Sequence, residues 1–372
     1  MLSRWNVRLS SLGLYLWDYF YNMTTKLSPL PNIEPLSSGV IRILGQNPGQ
    51  MTLQGTNCYL VHGPESRTGK SGSTRLCLID TGAAWPTSSS FVPLLRESLR
   101  PFVKTQAGQP NPDPITTLTD IVLTHRHADH IGGLKAILDV FSACDAQQPR
   151  IYKHHHPVLA EGEEGGLVDW DQLFIKENFS NVKDVPKVIW LADGQKIRLH
   201  DTDSTSSGAT LRVIHTPGHT PDSISLIIEE TGELFTADTV LGQGTSVFTD
   251  LSAYMASLDK LLAAEPQSLY PGHGPHIGDR AGTIRKIQEY IDHRMERERQ
   301  VIQAMRTLTD NVTSLETGIS ARQIVEILYA GLGIGVYIAA EKPVGAHLRK
   351  LEKDGKVLRT PSGHWRLLCD EI

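Results

Sequence analysis

Two hydrophobic rhythms divide the chain. From about residue 38 to 280, short apolar runs recur, each ended by Gly, Pro or Asp. They predict strands over 40–44, 58–61, 75–79, 121–123, 187–190, 210–214, 223–228, 233–236 and 268–270. Helical spacing appears over 133–141, after the Gly132-Gly133 pair, and again over 251–263. Strands mixed with helices predict α/β or α+β layers. Stretches rich in Ser, Thr and Gly at 66–73 and 202–207, and the stretch 106–114, read as surface loops. Residues 153–186 show no clear period and read as a long excursion over the surface.

Beyond residue 280 the pattern changes. Residues 280–308 predict a strongly charged helix, with Arg285, Lys286, Arg294, Arg297 and Arg299 among Glu and Gln. A new unit begins near Leu315, where Ile324, Ile327 and Leu328 mark a helical face within 320–329. Pro343 is expected to open a second helix as its first residue, and Gly355 to end it. Residues 356–359 and 364–367, joined by Pro361-Ser362-Gly363, predict a hairpin. Helix, helix and two-stranded wing make a winged-helix pattern. The expected organisation is an extension over 1–37, a layered domain over 38–282, a connecting helix over 283–311 and a winged-helix-like domain over 312–372.

Composition narrows the class. A chain of 372 residues buries a core without disulfide staples. Cys58, Cys77, Cys144 and Cys369 stand far apart and form no C-x-x-C, so a reducing compartment fits better than a disulfide framework or a Cys-rich zinc site. A net charge of −5 excludes a globally basic nucleic-acid coat but leaves local patches open. One such patch is Lys342, Arg349, Lys350, Lys353, Lys356, Arg359 and Arg366 in the tail. It either tracks a phosphate backbone or lies solvated while the winged helix packs on the main domain and shapes a groove. With no run of about 18 apolar residues, no transmembrane helix and no membrane partner are expected. Residues 1–23 carry Arg4, Arg8 and several serines, with no acid before Asp18. That is the make-up of a mitochondrial transit peptide, implying the matrix, or else of an irregular tail. Translation from Met23 would leave a cytoplasmic form.

The 15 histidines supply the chemistry. The apolar run at 121–123 leads through Thr124 into His125-Arg126-His127-Ala128-Asp129-His130. Imidazoles at i and i+2 can converge on one ion, and Asp129 and His130 can turn toward a second. Imidazole with carboxylate suits zinc, and also iron or manganese. His219, Asp238 and His273 each follow an apolar run in the same way, at strand ends that share one edge in a layered fold. Seven such groups exceed what one zinc takes and suit two ions bridged by a carboxylate. A single histidine is more often surface or hydrogen-bonded core. Accordingly His215 stays unassigned, and His154-His155-His156 reads as solvated loop.

The H-x-H-x-D-H cluster with His219, Asp238 and His273 resembles the metallo-β-lactamase superfamily. That resemblance implies an α/β fold, an αββα four-layer sandwich, here with a C-terminal winged helix. It implies two zinc ions: His125, His127 and His219 on one, Asp129, His130 and His273 on the other, Asp238 bridging. Asp80, in Leu78-Ile79-Asp80-Thr81-Gly82, resembles the acid that orients a ligand histidine. Gly45-Gln46-Asn47-Pro48-Gly49, Thr52-Leu53-Gln54-Gly55-Thr56-Asn57, Tyr254-Met255-Ala256-Ser257-Leu258 and Tyr270-Pro271-Gly272-His273-Gly274-Pro275 are similar to the β-lactamase-like protein 2 branch. Its members resemble a mitochondrial endoribonuclease acting on single-stranded RNA. Fungal thioesterases that release polyketides from carrier proteins share many of these segments. Two departures stand out: Arg126 where the branch usually has Trp, and Pro221-Asp222-Ser223 where an extra His is common.

The expected activity is hydrolysis by metal-activated hydroxide, with Asp129 steering its proton. No G-x-S-x-G nucleophile elbow is present. Asn57, Tyr254 and the Gly242-Gln243-Gly244 loop are the expected substrate-facing positions; the loop amides would receive a phosphate or carboxylate oxygen, or form an ordinary turn. Endoribonuclease comes first and acyl-thioester hydrolase second. A non-catalytic nucleic-acid binder fits poorly with an intact ligand set, and nothing points to lactam hydrolysis.

Overall fold

In the computed structural model the described residues are 27–63, 75–103, 111–156, 160–161, 167–179, 186–200, 208–311, 318–331 and 334–368. The stretch read as a transit peptide, the loops at 66–73 and 202–207, most of 106–114, and Cys369 lie outside them.

The first sheet takes up β1 (Ile33–Pro35), β2 (Val40–Leu44), β3 (Asn57–Val61), β4 (Cys77–Ile79), β5 (Asp120–Leu123) and β6 (Arg150–His154). A small ribbon of β7 (Ala160–Glu161) and β8 (Leu167–Val168) intervenes before β9 (Val188–Leu191) completes that sheet beside β6. Strands β1 to β4 are antiparallel; β4, β5, β6 and β9 are parallel. The second sheet orders β10 (Lys196–Arg198), β11 (Thr210–His215), β12 (Ile224–Ile228), β13 (Glu233–Ala237) and β14 (Ser268–Pro271), with only the β13–β14 pair parallel.

Period-two alternation sorts each strand between two cores. Ile41, Ile43, Cys58, Leu60, Leu78, Ile121 and Leu123 face helices α1 (Ser88–Leu99), α3 (Leu134–Ala143) and α4 (Trp170–Phe179); the one-turn α2 (Ala128–Ile131) lies between α1 and α3 in sequence. Val40, Tyr59, Val61, Ile79 and Val122 face Leu211, Val213, Ile224, Leu226 and Phe235 of the second sheet. The far side of that sheet packs Ile227, Leu234 and Leu269 on α5 (Leu251–Ala263) and α6 (Arg280–Asn311) through Tyr254, Leu258, Ile287 and Tyr290. Helix, sheet, sheet, helix is the expected four-layer order. Because central strands bury both faces, they read as near-continuous apolar runs.

Helix α6 serves two bodies. Its start packs on the second sheet, while Val301, Ile302 and Met305 enter a separate core. That core holds Ile324 and Val325 of α7 (Ala321–Leu328), Val344, Leu348 and Leu351 of α8 (Ile334–Lys353), and Val357 and Trp365 of the hairpin β15 (Val357–Arg359) and β16 (Trp365–Leu367). Ser320 caps α7 in a capping box with Gln323.

Several expectations are corrected. Pro343 lies inside α8 and does not open it; Ala340 and Val344, on either side, are buried, and their packing outweighs the lost backbone bond. The described part of 153–186 is not all surface excursion: β6 ends in it, and α4 buries Phe174 and Phe179. The histidine run is not simply solvated. His156 is buried, His154 stacks on His215 and His155 on Trp190. Strand β1 pairs with β2, so the sheet begins before residue 38. Among the described residues, no helix is long and apolar enough to cross a membrane.

Candidate metal centre

The two sheets present their strand ends along one edge. Strand β5 runs out into Thr124 and the cluster at 125–130. His219 follows β11, Asp238 follows β13 directly, and His273 follows β14. Donor atoms of His125, His127, His219 and Asp238 all lie within 4.8 Å of one another, as do those of Asp129, His130 and His273. All seven expected groups are therefore brought together.

The imidazoles are aimed by what they touch on their outer side. His130 donates Nδ1–H to Asp80 Oδ2 at 2.7 Å, and Asp80 is itself held by the amide and hydroxyl of Thr124, each at 2.8 Å. His219 donates Nδ1–H to the Val247 carbonyl at 2.8 Å. His125 Nδ1 meets Thr124 Oγ1 at 3.0 Å. With these Nδ1 atoms engaged, the Nε2 lone pairs point inward. Nε2 of His125 and of His219 each stand 3.0 Å from Nδ1 of His127, and Nε2 of His130 stands 3.3 Å from Nε2 of His273.

Asp238 stands between the two groups. Its Oδ1 lies 3.3 Å from Nε2 of both His130 and His273, and its Oδ2 lies 3.5 Å from His219 and 3.9 Å from His125. Oδ1 is buried yet takes no well-formed hydrogen bond. Converging lone pairs around an unsatisfied carboxylate oxygen are costly unless a cation occupies the space, so the residues fit a divalent metal. The electrostatics agree. Burial pushes Asp238 up, but His273 and His130 outweigh it and hold the carboxyl well below the usual range. Burial likewise opposes charge on His273, yet Asp238 and Asp129 raise it to about 9. Burial, followed by His219, lowers His127 to about 4. The pocket draws positive charge on one side and keeps its imidazoles neutral on the other.

Glycines let the backbone close this tightly. A Cβ on Gly133 would sit 2.0 Å from the Thr81 carbonyl, and one on Gly272 would sit 2.4 Å from Asp238 Oδ1. Gly218, at φ +132, lets the α5 residue Tyr254 approach directly above the turn that carries His219.

Two substrate-facing expectations are corrected. Tyr254 is fully buried and donates its hydroxyl to the Thr239 carbonyl at 2.6 Å, bracing the loop after Asp238. Asn57 is also buried, donating to the carbonyls of Pro271 and Gly274 on either side of His273. Both are braces, because their polar atoms bond backbone carbonyls beside the ligands Asp238 and His273. Of the Gly242-Gln243-Gly244 loop, the Gly242 amide is engaged by the His273 carbonyl at 2.9 Å, while Gln243 and Gly244 remain partly exposed. Where an extra His is common, the Ser223 hydroxyl accepts the Thr220 amide at 3.1 Å and closes the turn.

Sequence reasoning missed three supports. Thr124 holds both Asp80 and His125; the Val247 carbonyl holds His219; and Arg294 of α6 donates to the Ser246 carbonyl at 2.8 Å, fixing the loop on which Val247 sits. Adjacency to the motif marks Thr124, whereas nothing in the charged run around Arg294 sets it apart.

Residues 51–273 match the family described as "Metallo-beta-lactamase superfamily", and residues 320–365 match "Beta-lactamase associated winged helix domain". The chain is 36% identical over 328 residues to the "Beta-lactamase-like protein 2 homolog" of Drosophila melanogaster, covering 88% of this chain and 92% of that one. It is 31% identical over 358 residues to the "Atrochrysone carboxyl ACP thioesterase dmxR1" of Cryptosporiopsis sp., covering 94% and 91%. A beta-lactamase domain protein from Burkholderia ambifaria shares the fold, with a TM-score of 0.60 at 18% identity over 92% of this chain and 94% of that one. With strand ends, donor pocket and appended winged helix all in place, the chain belongs to the metallo-beta-lactamase superfamily of metal-dependent hydrolases.

Proposed function

We propose that the chain is a binuclear zinc hydrolase that cleaves phosphodiesters of single-stranded RNA. The position of Asp238 carries the two-ion reading: one carboxylate oxygen faces each donor group. His125, His127 and His219 would hold one cation, and Asp129, His130 and His273 the other, with Asp238 spanning them. Iron or manganese would suit the same donors. Such a pair of cations, when bound, makes water acidic and polarises the group under attack.

The chain's own residues do the rest. Asp129 is the more exposed carboxylate of the pocket, at 26%, and Thr56 fixes its Oδ2 from 3.1 Å. Burial opposes its charge, but His130 and His273 hold it well below the usual carboxylate range, so it would steer a proton at the solvent side as a carboxylate. Gln243 and Gly244, partly exposed in the loop after Asp238, are the positions whose amides could meet developing negative charge. Asp80, Thr124 and Val247 keep the imidazoles from rotating out of line.

RNA is favoured by the branch resemblance and by the higher identity to the beta-lactamase-like protein 2 relative. The second reading is acyl-thioester hydrolysis, supported by the 31% identity to a fungal carrier-protein thioesterase over nearly its whole length. One assay separates them: purified protein, with a chelated control, on a single-stranded oligoribonucleotide and an acyl thioester side by side. Chelator-sensitive cleavage of RNA bears the first reading out; thioester turnover with intact RNA refutes it. For location, we favour the mitochondrial matrix on the composition of residues 1–23. A fluorescent fusion of the full chain should enter mitochondria, and one starting at Met23 should not.

A further inference from the structure

Arg126 lies between two of the pocket imidazoles, His125 and His127. Its guanidinium carbon sits 4.1 Å from the ring centroid of Trp170, the first residue of α4. Its Nε is buried and makes no hydrogen bond. Among the described residues no carboxylate pairs with it. Asp171, next to its platform, is already taken by the His156 amide at 3.1 Å and by His155 Nδ1 at 2.8 Å.

A permanent cation beside a metal-ligating pocket works against metal binding, because like charges repel. That cost is recovered when an anion joins the site. A guanidinium over an aromatic face leaves its in-plane donors free to grip a forked acceptor, which suits a phosphate better than an ammonium would. We propose that Arg126, held over Trp170, is a specificity-determining residue that positions a phosphodiester of single-stranded RNA beside the pocket. This rests on the nuclease reading and adds the residue that recognises the strand. It also gives the departure at position 126 a purpose: the aromatic face comes from Trp170, and the loop contributes charge.

The test is binding of a fluorescein-labelled oligouridylate to chelated, full-length protein, followed by anisotropy across a salt series, with cleavage by the zinc-loaded protein measured in parallel. Arg126→Gln should weaken binding about tenfold and lower the slope of log K against log salt by about one. Arg126→Lys should keep the slope and lose a few-fold in affinity, since charge survives without the fork. Trp170→Leu should also lose a few-fold with the slope unchanged. Arg126→Gln with wild-type affinity and slope, in a protein that still cleaves RNA, overturns the proposal and leaves the nuclease reading standing. A wild-type protein that ignores RNA and hydrolyses an acyl thioester removes both. If Arg126→Gln does not fold, Arg126→Lys decides: lowered affinity supports the role and unchanged affinity overturns it.

Discussion

His130 depends on a residue fifty positions earlier in the chain, Asp80, which accepts its Nδ1–H at 2.7 Å. Removing such an outer partner typically costs about 10–100-fold in metal affinity. Asp80→Ala should therefore lose metal at chelator concentrations that leave the wild type loaded, read by elemental analysis after dialysis, while the melting profile stays cooperative. Gly133 is a sterner case. Its would-be Cβ meets the Thr81 carbonyl, a backbone atom that cannot step aside. Gly133→Ala should cost about 3 kcal/mol or more, seen as a shifted urea midpoint. At this scale the ligand types were readable because a cluster of imidazole and carboxylate at a strand end is hard to meet by chance. Tyr254 and Asn57 were misread because a motif residue that braces the site looks the same in sequence as one that touches substrate. What separates them is burial and the backbone carbonyls they cap.

Among the elements, α6 links the hydrolytic unit to the winged helix. Arg294 reaches from it to the loop that holds His219, and His347 of α8 lies buried near Arg294, Arg297 and Lys350, with His293 close by and the Phe248 ring 6.3 Å away. Burial first, then those cations, push His347 down to about 3. In the unfolded chain it titrates near 6.5, taken as about the usual value. Between the two values the unfolded chain binds a proton that the fold refuses. Stability therefore falls as pH drops from about 6.5 toward about 3, and is fully present above that window. His347→Leu should flatten this limb of the stability–pH curve, measured by urea midpoints across the acid range. Strand β6 shows why an element can be illegible: Lys153 and His154 looked solvated, yet Lys153 is buried and pairs with buried Asp222 at 2.6 Å. A distant carboxylate lets that lysine sit inside.

For the whole molecule, the cation pocket joins both sheets, since His125, His127, Asp129 and His130 follow the first and His219, Asp238 and His273 the second. A bound cation should thus stabilise the entire hydrolytic unit. Free zinc at ~100 times its Kd contributes about 2.7 kcal/mol, so thermal midpoints should rise by several degrees with zinc and fall with chelator. A midpoint indifferent to both would contradict the pocket. The winged helix is joined by charge as well as by packing: Lys350 and Lys356 meet Glu298 at 2.6 and 3.5 Å, and Lys353 meets Asp250 at 3.0 Å. Those tail cations serve docking, which leaves fewer for a nucleic acid than the composition suggested.

The mixture of strands and helices, the winged-helix pattern of the tail and the donor types at strand ends were written into local pattern, because strand periodicity, turn residues and ligand chemistry are properties of neighbouring positions; the four-layer order was implied by the family resemblance. Which polar residues brace the site, and that Arg126 rests on Trp170, depended on contacts between segments far apart in the chain. Such contacts arise only when the sheets stack, and no periodicity in the sequence records them.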